Sequence, residues 1–156
     1  MRLRRGQSMV EGMLGIIFVS FVLFVSIYIV RMLTARILLD HAAARAARAR
    51  AVGFNDFMCV KSSLVALIPV SGPRALPFQI NEEAERIPLF LASESWEKAN
   101  GILDYEWWDG AQLHIDEHTG FLDPSIDTTT TLTTDDFTVH GSAAIESHYP
   151  LYMRAF

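Results

Sequence analysis

Residues 12–30 read GMLGIIFVSFVLFVSIYIV, nineteen positions without a charged side chain. Wound as a helix at about 1.5 Å per residue, the run is roughly 28 Å long, close to the ~30 Å hydrocarbon core of a bilayer. Ser20 and Ser26 are its only clearly polar residues. A helix packed on the core of a soluble domain would carry a polar stripe. The stretch therefore reads as a membrane span. A secretory signal is the competing reading, but its apolar region is only about 7–15 residues long and ends at a small-residue cleavage site. Ala42 and Ala44 imitate such a site, yet the present run is longer and leads into Arg31 and Arg36. Three arginines precede the span and Arg31, Arg36 and Arg45 follow it, so flanking charge alone does not orient it.

On either side of that run the chain changes character. Residues 1–52 carry eight arginines against Glu11 and Asp40, a balance of +6. Residues 53–156 carry five basic and sixteen acidic side chains, a balance of −11. The whole-chain value of −5, with 51% hydrophobic residues among 156, averages a basic, apolar front and an acidic back. That length suits one modest domain. The apolar content excludes a disordered acidic tail, and the absence of a basic domain argues against a nucleic-acid partner. A single cysteine, Cys59, excludes an internal disulfide and any zinc site built from paired cysteines.

Glu11 stands at the threshold of the span, where an ionised carboxylate is costly unless it is paired or lies among headgroups. A place in the first turns of a helix would ease that cost. The other reading is that it awaits a cation from a second chain.

The stretch RRGQSMVEG, followed by the apolar run, resembles a prepilin leader: a short basic segment, Gly6 at the cut, and a glutamate at the fifth position after it. Further on, LLDHAAARAARARAVG resembles the alanine- and arginine-rich continuation of TadE-like pseudopilins of tight-adherence (Flp-type IVb) pilus systems. The likeness covers about the first third of the chain and implies the following. A prepilin peptidase of the bacterial inner membrane would cut between Gly6 and Gln7. The single-pass subunit, its C-terminal domain exported, would then be held among membrane lipid by its helix until it joins other pilin or pseudopilin subunits through the tight-adherence assembly machinery. Cleavage would remove Arg2, Arg4 and Arg5 and leave an α-amine on Gln7 that a neighbour's Glu11 can pair with. Breaking such a pair in a low-dielectric bundle costs about 3–5 kcal/mol, because one charge is left uncompensated. Two departures bear on this expectation. Gly12 stands where such pilins often have an aromatic residue, and it weakens the helix by about 1 kcal/mol relative to alanine. It also shares one face with Gly15, a spacing that permits close helix approach. The chain is far longer than a minimal Flp-type major pilin, which favours a minor or pseudopilin role.

Residues 31–52 hold eight alanines, no glycine or proline and the i, i+4 pair Arg36 and Asp40, so the helix is expected to continue to about 52 and stop at Gly53. The expected organisation is a leader at 1–6, an N-terminal helix at 7–52 with its span at 12–30, and an exported head at 53–156. Within the head, Phe57, Val60, Leu64 and Ile68 fall at helical spacing after Asn55, a plausible N-cap, and Pro69 ends that helix. Cys59 sits beside its buried face and reads as a packed thiol. Residues 69–77 are a turn-rich linker, Asn81 caps another helical turn, and Pro88 opens one more. Leu103, Tyr105 and Trp107, then Asp109–Gly110, then Ala111, Leu113 and Ile115 give two alternating runs around a turn pair, which predicts a hairpin there. Trp107 and Trp108 would face opposite ways, one against the long helix and the other at a subunit contact. The threonine-rich run 128–134 and the segment 143–149 predict further antiparallel strands. The fold class expected is α+β and pilin-like: a long N-terminal helix, short helices and a small antiparallel sheet.

Chemistry is sparse. His114, Asp116 and His118 alternate on a strand, with Glu117 between, and could converge on a metal, although Gly120 suggests that the strand ends there. The plainer reading is a polar strand edge. Asp123, Asp127, Asp135 and Asp136 lack the spacing of a calcium loop. No nucleophile–base pattern or phosphate-cradling glycine loop is present, so action by assembly, without catalysis or cofactor, is expected. The rival is a plain single-pass membrane protein with an exported binding domain, a metal being one candidate ligand.

Overall fold

The structure, a computed structural model, describes residues 4–75, 82–119 and 124–146. Helix α1 spans Arg4–Ala51 and is followed by α2 (Asp56–Leu67), a 3-10 turn (Ile68–Val70), α3 (Glu82–Ala92), α4 (Trp96–Ala99) and strands β1 (Ala111–Thr119), β2 (Pro124–Thr133) and β3 (Thr138–Glu146). The strands form one antiparallel sheet in the order β1-β2-β3. The chain is α+β, a long N-terminal apolar helix followed by a small domain of short helices and three strands.

The helix begins earlier than expected. It runs from Arg4, so Gly6 also lies inside α1, with Gln7 following it as expected. Inside the apolar run, the Ser26 hydroxyl donates to the Val22 carbonyl at 2.8 Å, and Thr34 donates to Val30 at 2.9 Å. These hydroxyls satisfy themselves on their own helix, as polar side chains in an apolar surround must. The stop at Gly53 is as expected. Gly53 takes φ 92°, its N–H donates to Arg50 O at 2.8 Å, and the Phe54 N–H reaches Ala49 O at 3.1 Å. This is the paired 6→1 and 5→2 closure that a left-handed glycine permits.

The chain divides into two compact units, Met1–Thr34 and Ala35–Phe156. The alanines of the second half of α1 belong to the core of the second unit. Ala35, Leu39, Ala42, Ala43, Ala46 and Ala47 are all buried, forming an i, i+4, i+7, i+8 stripe. The sheet lies on that stripe. The Thr128 hydroxyl donates to Ala43 O at 2.8 Å and that of Thr130 to Leu39 O at 2.9 Å, both from side chains 1% exposed. Asp40, expected to pair with Arg36, accepts the backbone N–H of Ser142 at 3.0 Å. At Gly141 a Cβ would collide with the backbone of Leu39 and Asp40. Small residues on both surfaces bring backbone against backbone.

The hairpin expected at Asp109–Gly110 does not form. Residues 105–111 are successive turns: Trp108 N–H to Tyr105 O at 3.1 Å, Gly110 N–H to Trp107 O at 3.2 Å, and Ala111 N–H to Trp108 O at 3.0 Å. Leu103 and Tyr105 are buried with Phe57, Phe90 and Ala99, and half-buried Trp108 packs on the same cluster. Packing in that cluster outweighs the local alternation. Gly110 is needed for a different reason: a Cβ there would strike the Thr133 carbonyl, whose residue donates its N–H to Gly110 O at 3.1 Å. Trp108 stacks between Tyr105 and Phe90, at centroid distances of 4.9 and 5.6 Å, and Trp107 covers Gly72. The hairpins that do form are β1–β2 and β2–β3. The latter turns through 134–137, where Phe137 N–H donates to Thr134 Oγ1 at 3.2 Å, so Asp135 and Asp136 are a hairpin tip.

In α2 the local expectations hold. Asn55 Oδ1 accepts the Met58 N–H at 2.9 Å, closing the N-cap. Pro88 does not open a helix of its own but lies inside α3. Its missing N–H withdraws the donor that the Ala84 carbonyl would have in a regular helix, and Ala84 is exposed, so that carbonyl is open to solvent. Asn81, Gly120, Asp123 and residues 147–149 lie outside the described residues.

Candidate functional sites

The first candidate site is built on α1. Each residue from 9 to 31 is exposed within the chain, with Phe24 at 70% and even Val25 at 41%. Among the described residues this is one helix long and apolar enough to cross a membrane, and none of its apolar window is buried. Glu11 is exposed on it, and Gln7 lies four residues earlier in the same helix. A Cβ added at Gly12 or Gly15 would meet nothing within 4 Å. The glycines therefore serve no packing against the described residues.

The second candidate, on β1, is not assembled into a metal site. His114 Nε2 lies 3.1 Å from Asp116 Oδ1, and His118 Nε2 turns instead to Asp127 Oδ2 at 3.3 Å. Among the described residues no three His, Cys, Asp or Glu side chains form a group that could hold a metal. The alternation places Glu117 on the opposite face, where it meets Arg50. Arg50 also binds Asp56 Oδ1 at 2.7 Å, tying the end of α1 to the start of α2 and to β1. The outer sheet face instead gathers His114, Asp116, His118, Asp127 and His140, the last 3.0 Å from Thr131 Oγ1.

Two features escaped the sequence, a buried lysine and a buried indole N–H, whereas Cys59 is packed as expected. Lys61, on α2, is 3% exposed, and its Nζ donates to Leu91 O at 2.7 Å and Ser93 O at 2.5 Å. It thereby neutralises the C-terminal end of α3, beneath the rings of Phe57 and Phe90. Burial holds its pKa below the ordinary lysine value. The only hint was a lysine amid the apolar positions of α2. Cys59, fully buried, has its thiol pKa pushed up by burial, in keeping with a packed and unreactive role. Finally, Trp108 Nε1 is buried without a hydrogen-bond partner beside a cavity of about 470 Å³.

The chain matches no protein-family model, and no curated protein or solved structure matches it. Its geometry defines a coarse class: an α+β protein whose single long apolar helix is capable of spanning a membrane.

Proposed function

We propose that the protein is a pseudopilin or minor pilin, processed by a prepilin peptidase and taking part in assembly of a tight-adherence type IV pilus. In this reading α1 holds it in the bacterial inner membrane and the acidic domain is exported. The peptidase cuts between Gly6 and Gln7. The new amine of Gln7 then pairs with Glu11 of a neighbouring subunit, which fixes axial register more than it adds net stability.

One observation carries the reading: Glu11, Gly12 and Gly15 lie on a helix surface that none of the described residues covers. A lone anchor needs neither a carboxylate at the edge of its span nor glycines that permit close approach. Cutting inside α1 requires its first turn to unwind, and Gly6 lowers that cost by about 1 kcal/mol relative to alanine.

Mass spectrometry of the protein purified from a membrane containing an active prepilin peptidase tests the proposal. The expected N-terminus is Gln7. An intact Met1 under those conditions would leave the rival, a plain single-pass anchor with an exported binding domain.

A further inference from the structure

Within the unit Ala35–Phe156, the second half of α1 has two sides. Its alanine stripe is buried against the sheet. The opposite side carries Ile37, His41, Arg45 and Arg48 at i, i+4, i+8 and i+11, one face of a helix. All four are exposed, Ile37 by 67%. Arg45 and Arg48 make no ion pair among the described residues, unlike Arg50, which binds Glu117 and Asp56.

Carboxylates in the same condition gather at one end of the sheet. Asp135 and Asp136 form the tip of the β2–β3 hairpin, and the Thr133 N–H, donating to Gly110 O at 3.1 Å, holds Asp109 beside that tip. All three are exposed and unpaired among the described residues. The contacts between sheet and helix fix where this end lies. Thr130 meets Leu39, Thr128 meets Ala43, and Glu117, across from Ile126, meets Arg50, so β2 advances as α1 recedes. From Leu39 to Arg48 is about 13 Å of helix, and from Thr130 to Asp135 is about 17 Å of strand in the opposite sense. The two charged surfaces thus stand roughly 30 Å apart in one copy, beyond the Debye length of about 8 Å. The cations of a copy are out of reach of its own acidic end.

A second copy, shifted along the helix axis, brings the two surfaces together. The basic face does not serve as its own partner, because two such faces repel. We propose that the exposed face of α1 docks a second copy of this chain, with Arg45 and Arg48 against the acidic sheet end formed by Asp109, Asp135 and Asp136. Contact between such unlike surfaces is heterologous and passes from copy to copy. The inference goes beyond the pilin reading: every group it uses lies in the second unit, and cutting at Gly6 plays no part in it.

Sedimentation equilibrium of the full chain in a density-matched non-ionic detergent tests the contact. The parent should associate reversibly, and less so as salt approaches 1 M, where the Debye length is about 3 Å. Arg45→Glu with Arg48→Glu, and separately Asp135→Lys with Asp136→Lys, should each weaken association at least about tenfold. Because these side chains are exposed and unpaired, both variants should keep the circular dichroism spectrum of the parent. An equimolar mixture of the two variants is the decisive sample. The reversed helix face of one meets the reversed sheet end of the other, and their unreversed surfaces match as well, so association should return to within about twofold of the parent. All four reversals in one chain should restore it likewise. Association equal to the parent's in either variant overturns the proposal, since other surfaces, such as the apolar run, would then hold the copies together. So does a parent that stays monomeric at about 100 μM, or a mixture that associates no better than its components.

Discussion

Gly141 of β3 lies against the backbone of Leu39 in α1, so closely that no side chain fits between them. Around that contact Thr128 and Thr130 send their hydroxyls into the carbonyls of Ala43 and Leu39. The alanine-lined half of α1 and the sheet thus meet at backbone distance, and the residues that permit it lie about a hundred positions apart in the chain. Steric fit and hydrogen bonding contribute unequally there, and substitutions separate them.

Gly141→Ala places a Cβ into rigid helix backbone, which cannot yield as a flexible side chain would. The cost is expected at about 1–3 kcal/mol or more, as for overpacked cores. Urea unfolding of the full chain in detergent, followed by tryptophan fluorescence, should show a lower midpoint. An unchanged midpoint would mean that the helix and sheet can separate freely.

Thr130→Val keeps the shape and removes the hydroxyl. The Leu39 carbonyl retains its acceptor role within α1, so no buried group is orphaned. A loss of about 1 kcal/mol or less follows, smaller than for Gly141→Ala. The same unfolding measurement ranks the two, and a reversed order would make the hydroxyl bonds the principal tie.

Cys59 makes stability depend on alkaline pH. Burial raises its folded pKa, so above the unfolded value of about 8.5 the unfolded chain sheds a proton that the folded chain keeps. Its contribution is complete below that unfolded pKa and is lost as pH rises through the folded pKa. Lys61, with a lowered folded pKa, tilts stability upward with pH toward its unfolded value of about 10.4. Cys59→Ala should therefore flatten the decline of unfolding free energy above about pH 8.5. An identical slope in parent and variant would show that another group sets it.

Glu11→Ala leaves the apolar run intact, so membrane insertion should be unaffected, whereas incorporation into sheared pili should fall strongly. Membrane fractionation and immunoblotting of the pilus fraction read the two separately. Wild-type incorporation of the variant would refute pairing through Glu11.

What was legible in the sequence was what neighbours in the chain decide. The Asn55 cap and the Gly53 stop follow from a few adjacent backbone groups, and both form as expected. Asp109–Gly110 had an equally strong local signature for a hairpin, yet Leu103, Tyr105 and Trp108 bury together instead, and Ala111–Thr119 pairs with β2. The alternation of His114, Asp116 and His118 was correctly read as one face of a strand. Whether they converge depended on what stands across the sheet, and Asp127 takes His118 away from the others.

By itself the sequence determined that residues 12–30 are apolar on every side, because nineteen consecutive uncharged positions leave no polar stripe at any angle around a helix. Only the tertiary structure decided that the next stretch, equally helical and rich in arginine, is a core element. Its alanines are unremarkable in a helical pattern and become a buried face only when a sheet carrying Gly141, Thr128 and Thr130 approaches. That approach depends on the shapes of two distant surfaces, which local periodicity does not encode.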